Sequence, residues 1–597
     1  MFKQIKYIFI LIFVISANLV NAQQDTTLRQ EVEVTRAYKP TITNANKINE
    51  MPAIDETEHQ VPTFNYSIKS QPIVNTFSVN QLKAATIRTR QKKETGYGLV
   101  RAGIGNYNKP YGELFFNYLN SKNSVLGVHA KHLSSYGKLE LEGGDKVDAP
   151  FSDNDVEFYY KHDFRDYVLS VDIFYENDGF RYYGYPGKEI PSVLLDGEEK
   201  YTYQGDKQAF SKAGASIRLK NPIAEIDDPL FNFNLKYHYF TTKTEQTEHF
   251  VQFMTDFQKP FDIGTLVGEA SVTYVQADSI LNYSLNKIGR RQQTWLFASP
   301  VYYFGSETAS IRAGLNAWFV LDNDMDAVAK LTPNIRASFT PIEDVITLYA
   351  GIDGKYHNNH YSKIAYENPF VDPQHDVSNS FEKFRFFGGI DGKLSPKTNF
   401  KISADYAMID GEPFYYLKEY YVPDPMVNPN PLVVDNTFDV LYDDIEKLKI
   451  NMEVFHASSD RLNLMVSGNY YKYYLDAQTE AWNMPDWDAT LSIDYKITQQ
   501  LSVGTDIYLI GARKALILEY MGFPEQISMA DPEGPAVVYK SFNLDTTIDL
   551  NVNATYQITQ KLAAFGQLNN FGFQTYQRWF GYPVQSLNAL IGISYAF

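Results

Sequence analysis

The chain has 597 residues, with 54 Lys+Arg against 71 Asp+Glu, a formal net charge of -17 and no cysteine. This acidic balance argues against a nucleic-acid partner, and the lack of cysteine excludes a disulfide framework and a thiolate site. The aromatic content of 15% comes mostly from 45 Tyr and 40 Phe, and amphipathic rings of this kind collect at membrane interfaces.

Residues 1–22 have the pattern of a secretory signal peptide. Lys3 and Lys6 form a cationic start, the apolar run Ile8 to Ile15 follows, and small side chains lie near Ala22. We expect cleavage before Gln23. No later stretch approaches 18 consecutive apolar residues, so any membrane insertion of this chain must use strands.

Residues 23–95 differ in composition from the rest of the chain, being rich in Thr, Asn, Gln, Glu and Pro. Prolines that interrupt helices and sheet ladders recur at Pro40, Pro52, Pro62 and Pro72. This composition predicts a short, irregular periplasmic or lumenal segment with little core of its own. Its alternating run, Glu31-Val32-Glu33-Val34-Thr35, is suited to add as a strand to the edge of a partner's sheet.

From residue 96 to 597 the chain is a series of amphipathic strand candidates, and their connections alternate between short and long. The short connectors lie at 120–123, 164–166, 305–306, 341–344, 395–398, 458–460, 498–500 and 559–561. The long loops lie at 136–153, 177–207, 356–379, 411–442, 512–540 and 569–586. Outer-membrane barrels have short periplasmic turns and long external loops. Both ends of this region are therefore expected on the periplasmic side, which requires an even number of strands.

The closing stretch, 541–597, has the clearest two-residue alternation. Ile591, Ile593 and Tyr595 alternate with small or polar residues over a length typical of a membrane crossing, which needs about 9–11 residues. We predict an all-β fold, a transmembrane antiparallel β-barrel of about 22 strands, with lipid at these three side chains. Pro300 and Pro333 fall inside candidate strands, where a missing N–H breaks the ladder, so counts of about 18 or 20 stay open.

Several C-terminal motifs resemble the closing hairpin of TonB-dependent outer-membrane receptors, particularly those of Bacteroidota. These motifs are Leu568-Asn569-Asn570, Tyr576 to Trp579, Gly581-Tyr582-Pro583 and Gly592 to Phe597. The repeat Tyr-x-Ile-Thr-Gln-x-Leu at 495–501 and 556–562 is similar to the periplasmic turns of such barrels. The resemblance implies an outer-membrane location and import of a nutrient bound outside, driven by an inner-membrane partner of TonB type. The aromatic C-terminus, Tyr595 and Phe597, is the expected signal for the barrel assembly machinery.

In that family the inner-membrane partner grips a short box near the N-terminus. Glu31, Val32, Glu33, Val34 and Thr35 are the candidate coupling box here, and a plain extended linker is the competing interpretation. A full receptor also carries a folded plug domain between box and barrel, and residues 23–95 are too few for one. We expect this segment to block the lumen in part, because an empty barrel of this circumference would be a wide pore.

No catalytic, cofactor or metal site is predicted. The 10 His are scattered and no Gly-x-Ser-x-Gly elbow occurs, which argues against an enzyme. Asp322, Asp324 and Asp326 resemble the start of a calcium loop, but the turn glycine and the distal Glu are missing, so a solvated loop tip is favoured. His357 and His360 lack a carboxylate motif that would complete a metal site.

Aromatic residues concentrate in the long loops. They occur in Phe180-Arg181-Tyr182-Tyr183-Gly184-Tyr185 and at Tyr415, Tyr416, Tyr420, Tyr421, Trp482 and Trp487. A stacking surface for sugars or peptides is one interpretation of this set. The aromatic girdle that flanks the apolar band of such barrels is the favoured one.

Two functions follow from these patterns. The first is a receptor-like or porin-like barrel in the outer membrane that binds or passes a solute through a polar lumen. The alternative is a structural barrel subunit of an outer-membrane machine, anchored in lipid, that docks periplasmic or surface partners.

Overall fold

The structure is a computed structural model that describes residues 97–597, apart from 122, 142–143, 145, 185–192, 196–197, 201–206, 222–228, 283–286, 307, 374, 376, 422–431, 460 and 522–536. All the described residues belong to one compact unit, Ser78–Phe597. The predicted signal peptide, the segment 23–95 and the candidate coupling box at Glu31 to Thr35 lie outside the described residues.

The first part of the described chain consists of strands. In chain order they are β1 Gly98–Gly105, β2 Lys109–Ser121, β3 Ser124–Ser135, β4 Lys138–Glu140, β5 Lys146–Asp148, β6 Phe151–Asp163, β7 Val168–Arg181, β8 Val193–Leu195, β9 Glu198–Lys200, β10 Lys207–Lys220, β11 Leu230–Thr242, β12 Thr247–Phe261, β13 Gly264–Asn282, β14 Lys287–Gly305, β15 Ala309–Asp322, β16 Val328–Ile342 and β17 Ile346–His357.

A short helix, α1 Tyr361–Glu367, follows β17. The remaining strands are β18 Ser380–Ser395, β19 Thr398–Tyr421, β20 Leu432–Ser459, β21 Leu462–Leu475, β22 Trp487–Lys496, β23 Leu501–Ile510, β24 Arg513–Met521, β25 Val537–Leu544, β26 Thr547–Gln557, β27 Leu562–Asn569, β28 Gln577–Trp579, β29 Tyr582–Pro583 and β30 Asn588–Ala596. Among the described residues, no helix is long and apolar enough to cross a membrane.

The main sheet closes into a ring of 22 antiparallel strands. The hydrogen-bonded sheet has 24 strands, of which β24 and β25 lie outside the ring. Each ring strand pairs with the next ring strand along the chain. The last strand, β30, closes the ring on β1, with Ile593 opposite Ala102 and Gly592 opposite Gly103. The predicted antiparallel barrel of about 22 strands is therefore confirmed.

The outside of the ring is apolar. On β30, Ile591, Ile593 and Tyr595 are 67%, 57% and 48% exposed, and alternate residues of other ring strands, such as Leu235 on β11 and Leu331 on β16, are exposed in the same way. A continuous band of exposed apolar side chains is unfavourable in water and favourable against lipid. The predicted apolar outer face of β30 is confirmed.

The chain enters and leaves the ring at one end, here called the terminal rim. The N–H groups of Tyr97 and Gly98 donate to the Phe597 carbonyl at 2.6 and 3.1 Å, and the Phe597 N–H donates to the Gly98 carbonyl at 3.0 Å. All the predicted short connectors lie at this rim, and the predicted long loops lie at the opposite end, here called the loop rim. The alternation of connector length therefore indicated strand direction correctly.

The two prolines that the sequence places inside candidate strands, Pro300 and Pro333, lie where the ladder is interrupted on one side. The pairing of β14 with β15 skips the residues around Pro300, and β16 pairs with β17 only from Ile335 onward, past Pro333. Near this second gap, the Thr332 hydroxyl donates to the Gly354 carbonyl at 3.2 Å. Both prolines remain within strands because their missing N–H groups fall at positions that need no ladder bond.

Two ring strands continue well beyond the ring. β19 and β20 have 24 and 28 residues, whereas a membrane crossing needs about 9–11. The outer part of β19 pairs in parallel with β24, with Tyr416 opposite Leu516, and β24 pairs antiparallel with β25. The outer parts of β19 and β20 together with β24 and β25 form a sheet at the loop rim, here called the external sheet. The prediction of loops over 411–442 and 512–540 is wrong for these strands.

Candidate functional site

Three structures at the loop rim fold together and form what we call the cap. They are the external sheet, the α1 loop (358–379) and the closing loop (570–587). Side chains from all three share one buried hydrophobic core, which includes Tyr361, Tyr415, Phe438, Trp579 and Tyr582. The long connections therefore pack as a small folded unit at the mouth of the barrel instead of extending separately into solvent.

The cap core joins loops that are far apart around the ring. The Phe370 ring of the α1 loop stacks on Tyr582 of the closing loop, with ring centroids 3.6 Å apart. Tyr183, which follows β7, packs against Tyr582 at 5.1 Å and donates its hydroxyl to the Pro583 carbonyl at 2.9 Å. Burial raises the pKa of Tyr183 well above its usual range, so its hydroxyl stays a donor. Movement of one loop would break contacts with both of the others.

A buried carboxylate fastens α1 to the barrel wall. Glu248 on β12 is fully buried, and β13 to β16 separate its strand from the strand that leads into α1. Its carboxylate accepts the Ser362 hydroxyl at 2.6 Å and the Ser362 N–H at 3.3 Å, and lies 2.9 Å from His360 Nδ1. A carboxylate at the first turn of a helix satisfies a free N–H group and opposes the positive end of the helix dipole. Glu248 supplies this cap because the N-cap residue, His360, provides no side-chain cap of its own.

The external sheet is covered on both faces. Alternate residues Tyr415 and Leu417 of β19 face the cap core, whereas Phe414 and Tyr416 face a second buried cluster that contains Trp482. A parallel pair of strands is normally buried on both faces and is apolar throughout. The β19–β24 pair meets this condition, which explains why the external sheet is stable outside the membrane.

The predicted aromatic girdle is wrong for the aromatic residues that lie inside the cap. Tyr182, Tyr415, Tyr416 and Trp482 are buried within the protein, where they contact neither lipid nor solvent. Trp487 is exposed, as a girdle residue would be. Tyr185 and the side chains of Tyr420 and Tyr421 lie outside the described residues.

A cavity of about 500 Å³ lies beside the cap core, between α1, the closing loop and the ends of several ring strands at the loop rim. Its aromatic lining consists of Phe151, Phe180, Tyr183, Phe210, Tyr366, Phe370 and Tyr576. Its polar lining includes Lys109, Asp153, Asp178, Asp549, Asn569, Asn570, Gln585 and Asn588. We call this space the mouth cavity.

Two donor groups of the mouth cavity are engaged within the protein. Lys109 Nζ donates to Gln585 Oε1 at 3.2 Å, and the Tyr576 hydroxyl donates to Asp549 Oδ2 at 3.0 Å. Burial and the Asp549 carboxylate raise the pKa of Tyr576 well above its usual range, so this hydroxyl keeps its proton. The cavity also contains acceptors that receive no hydrogen bond from a described residue, Asp549 Oδ1 and Asn570 Oδ1.

Charged side chains on the lumen wall pair with one another. Arg385 donates to both oxygens of Asp353, at 2.9 and 2.7 Å, and Lys447 lies 3.6 Å from Glu412. Paired charges of both signs do not build a filter that selects one sign of permeant. These two pairs make that part of the wall polar and wettable.

The C-terminal residues lie where the sequence predicts, and their role in assembly stays a prediction. Phe597 hydrogen-bonds to β1 at the terminal rim, and its ring stacks near Phe116, with centroids 6.3 Å apart. Tyr595 faces outward. The candidate coupling box at Glu31 to Thr35 is not among the described residues.

One member of each metal candidate, Asp322 and His360, makes structural contacts within the protein. Asp322 pairs with Arg291 at 3.3 Å and accepts the Gln293 amide at 2.7 Å, whereas Asp324 is exposed. His360 belongs to the Glu248 contact described above. Within the described part of the chain, no group of three or more His, Cys, Asp or Glu side chains could hold a metal ion.

The barrel is similar to solved structures of outer-membrane receptors. One is the pyoverdine receptor FpvA from Pseudomonas aeruginosa PAO1, at 12% identity and a TM-score of 0.60, over 85% of this chain and 79% of that chain. Another is the siderophore receptor PirA from Acinetobacter baumannii, at 11% identity and a TM-score of 0.58, over 85% and 81%. A third is the copper transporter OprC, at 11% identity and a TM-score of 0.58, over 85% and 84%.

These structural neighbours are TonB-dependent outer-membrane receptors with a barrel of 22 strands. No protein-family model and no curated protein matches the sequence. At such low identity the similarity establishes the barrel fold, and the function has to be argued from the site.

Proposed function

We propose that this protein is a receptor-like barrel of the outer membrane that binds a solute in the mouth cavity and passes it into the polar lumen. The observation that carries the proposal is the mouth cavity itself, which lies at the loop rim between the cap and the ring. Pockets of about 300–1,000 Å³ lined by aromatic residues with a few polar groups are typical of small-molecule sites.

The fold and the lumen support this proposal. A ring of 22 strands is wide enough to enclose an aqueous passage or a plug, and its lumen wall carries paired charges. The apolar outer band supports insertion in a bilayer. The resemblance of the C-terminal motifs to receptors of Bacteroidota supports the outer membrane as the location.

Residues 23–95 belong to the proposal as a partial obstruction that takes the place of a full plug domain. We also propose that Glu31 to Thr35 couple to an inner-membrane partner of TonB type. Loss of that association on deleting residues 31–37, with the barrel still folded, would locate the contact.

Passage is tested by swelling of proteoliposomes that contain purified protein. Four forms are compared: the full chain, a form lacking residues 23–95, a Tyr582→Ala variant with a weakened cap core, and the combination of both changes. We expect the largest rate from the combination, since it removes both proposed obstructions. A lack of swelling in all four heat-modifiable, folded forms would refute passage through the lumen.

The alternative function, a structural barrel subunit that docks other envelope proteins, is favoured by one feature of the external sheet. β25 pairs with β24 on one side, and Tyr539 on it is exposed, as on a strand edge that a partner could extend. Stoichiometric envelope proteins that co-purify in mild detergent and are lost on deleting 537–544 would support this function. An isolated barrel from the same membranes would contradict it.

A further inference from the structure

Two layers of carboxylates face each other across β6 and β7, and one of them lines the mouth cavity. Asp155 lies opposite Glu176 in one layer, and Asp153 lies opposite Asp178 in the next. Like charges directly opposite each other on neighbouring strands destabilise a sheet. Two such layers side by side therefore need compensation.

Within the described residues, only one of the two layers forms close ion pairs, whereas Lys131 and Lys109 act on Asp153 from a longer distance. Lys131 lies 3.3 Å from Asp155, and Lys212 lies 3.6 Å from Glu176. The pair that lines the cavity, Asp153 and Asp178, forms no hydrogen bond and no ion pair within 4.0 Å among the described residues. Neither carboxylate is fully buried, so both are accessible from the cavity.

Two further acceptors that line the cavity also lack donors among the described residues. Asn570 is 4% exposed; its amide nitrogen donates to the carbonyls of Gln574 and Gln585, at 2.6 and 3.2 Å. Its Oδ1 accepts no hydrogen bond from any described residue, and the same holds for Asp549 Oδ1. A buried acceptor without a donor is unfavourable, so water or a ligand has to complete this arrangement.

We infer that the mouth cavity binds an organic cation, a solute with a protonated amine next to an aromatic or other flat apolar group. The inference rests on the proposed receptor function and deepens it by naming the class of solute. The ammonium group supplies the charge and the N–H donors that Asp153, Asp178 and Asn570 lack. The flat apolar group of the solute packs against the aromatic lining at Phe180 and Phe370. A cation beside an aromatic face is also attracted to it.

The experiment compares three probes that share one indole ring: tryptamine, tryptophol and indole-3-acetate. Binding to the full-length protein in detergent is measured by calorimetry at neutral pH. We expect saturable binding of tryptamine, weaker binding of tryptophol and no binding of indole-3-acetate. Equal binding of all three, or no saturable binding of tryptamine, would overturn the inference.

Variants locate the site. In Asp153→Asn/Asp178→Asn, tryptamine affinity should fall at least about tenfold, since one close charge contact is worth more than about 1.4 kcal/mol in a half-buried site. The matched control is Asp172→Asn, on the same face of β7, where Asp172 accepts the Ser216 hydroxyl at 2.9 Å; its affinity should not change. Unchanged affinity in the double variant would overturn the assignment.

A single variant separates binding from folding. Asp178→Asn relieves the repulsion between the opposed carboxylates, so it should raise the Tm of the barrel while it weakens tryptamine binding. A merely structural role for Asp178 predicts that Tm falls, and that result would also overturn the inference.

The swelling assay distinguishes failure of this inference from failure of the proposed function. If the protein discriminates among the three probes but never causes liposomes to swell, the cation site is supported and passage through the lumen is refuted. If liposomes swell but the protein does not discriminate among the probes, passage is supported and the cation site is refuted.

Discussion

The contact between Glu248 and α1 gives the sharpest prediction, because one buried carboxylate holds the α1 loop against the barrel wall. In Glu248→Ala, the Ser362 hydroxyl and the His360 ring lose their acceptor inside the protein. A hydrogen bond to a buried charged group contributes about 1.5–3 kcal/mol. At about 1.4 kcal/mol per factor of ten, α1 should undock roughly 10- to 100-fold more often. Glu248→Gln keeps an acceptor for Ser362, so its frequency of undocking should lie between those of the wild type and Glu248→Ala.

The absence of cysteine from the chain makes this opening directly measurable. Ala365 on α1 has no exposed surface, so a single Ala365→Cys substitution should react with a maleimide only when α1 undocks. The labelling rate is compared with and without Glu248→Ala. Glu269→Ala serves as the control, since Glu269 lies on the neighbouring strand β13. Equal labelling rates with and without Glu248, or an equal acceleration by the control, would refute the proposed role of this contact.

Three further predictions concern the cap, the lipid face and assembly. Arg513 donates to the carbonyls of Gln577 and Arg578, both at 2.7 Å. Arg513→Met should therefore speed proteolysis of the closing loop about tenfold or more. Unchanged proteolysis would show that the loop is held by its aromatic core alone. Ile593→Arg should destabilise the folded barrel by about 2–4 kcal/mol in urea titrations in lipid vesicles, and no change would place that residue outside the bilayer. Phe597→Asp should reduce the amount of heat-modifiable barrel in membranes, and normal amounts would argue against the terminal strand as an assembly signal.

The barrel could be predicted from the sequence because each residue of a ring strand faces either lipid or water, and this choice does not depend on residues far away in the chain. Lipid outside and water inside impose a period of two on every ring strand, so the alternation at Ile591, Ile593 and Tyr595 was visible without any neighbour. Connector length also follows from local chemistry, since turns at the terminal rim need few residues. The strand count and the direction of the strands were therefore within reach of the sequence.

The cap could not be predicted in the same way, because its contacts join residues that are distant along the chain. Phe370 and Tyr582 stack in the cap core, yet nothing in either local sequence identifies the other. The external sheet is buried on both faces, so Tyr415 and Tyr416 show no alternation and resemble a girdle. One local signal was present, the continuous apolar run 515–518, which is typical of a strand buried on both sides.

The cap core restricts how a solute can pass. Burying one aromatic side chain stabilises by about 2 kcal/mol, so exposing five of them at once would cost about 10 kcal/mol and would occur in roughly one molecule in ten million. Opening of the whole cap is therefore too rare to support passage, and a smaller movement is required. Undocking of α1 alone is such a movement: it removes Tyr361 from the cap core and separates Phe370 from Tyr582, while the external sheet stays in place. Tyr366 and Phe370 of the α1 loop line the mouth cavity. Under the proposed function, a solute that contacts these two rings would change the free energy of that movement, and the Glu248 contact would then act between solute binding and entry into the lumen.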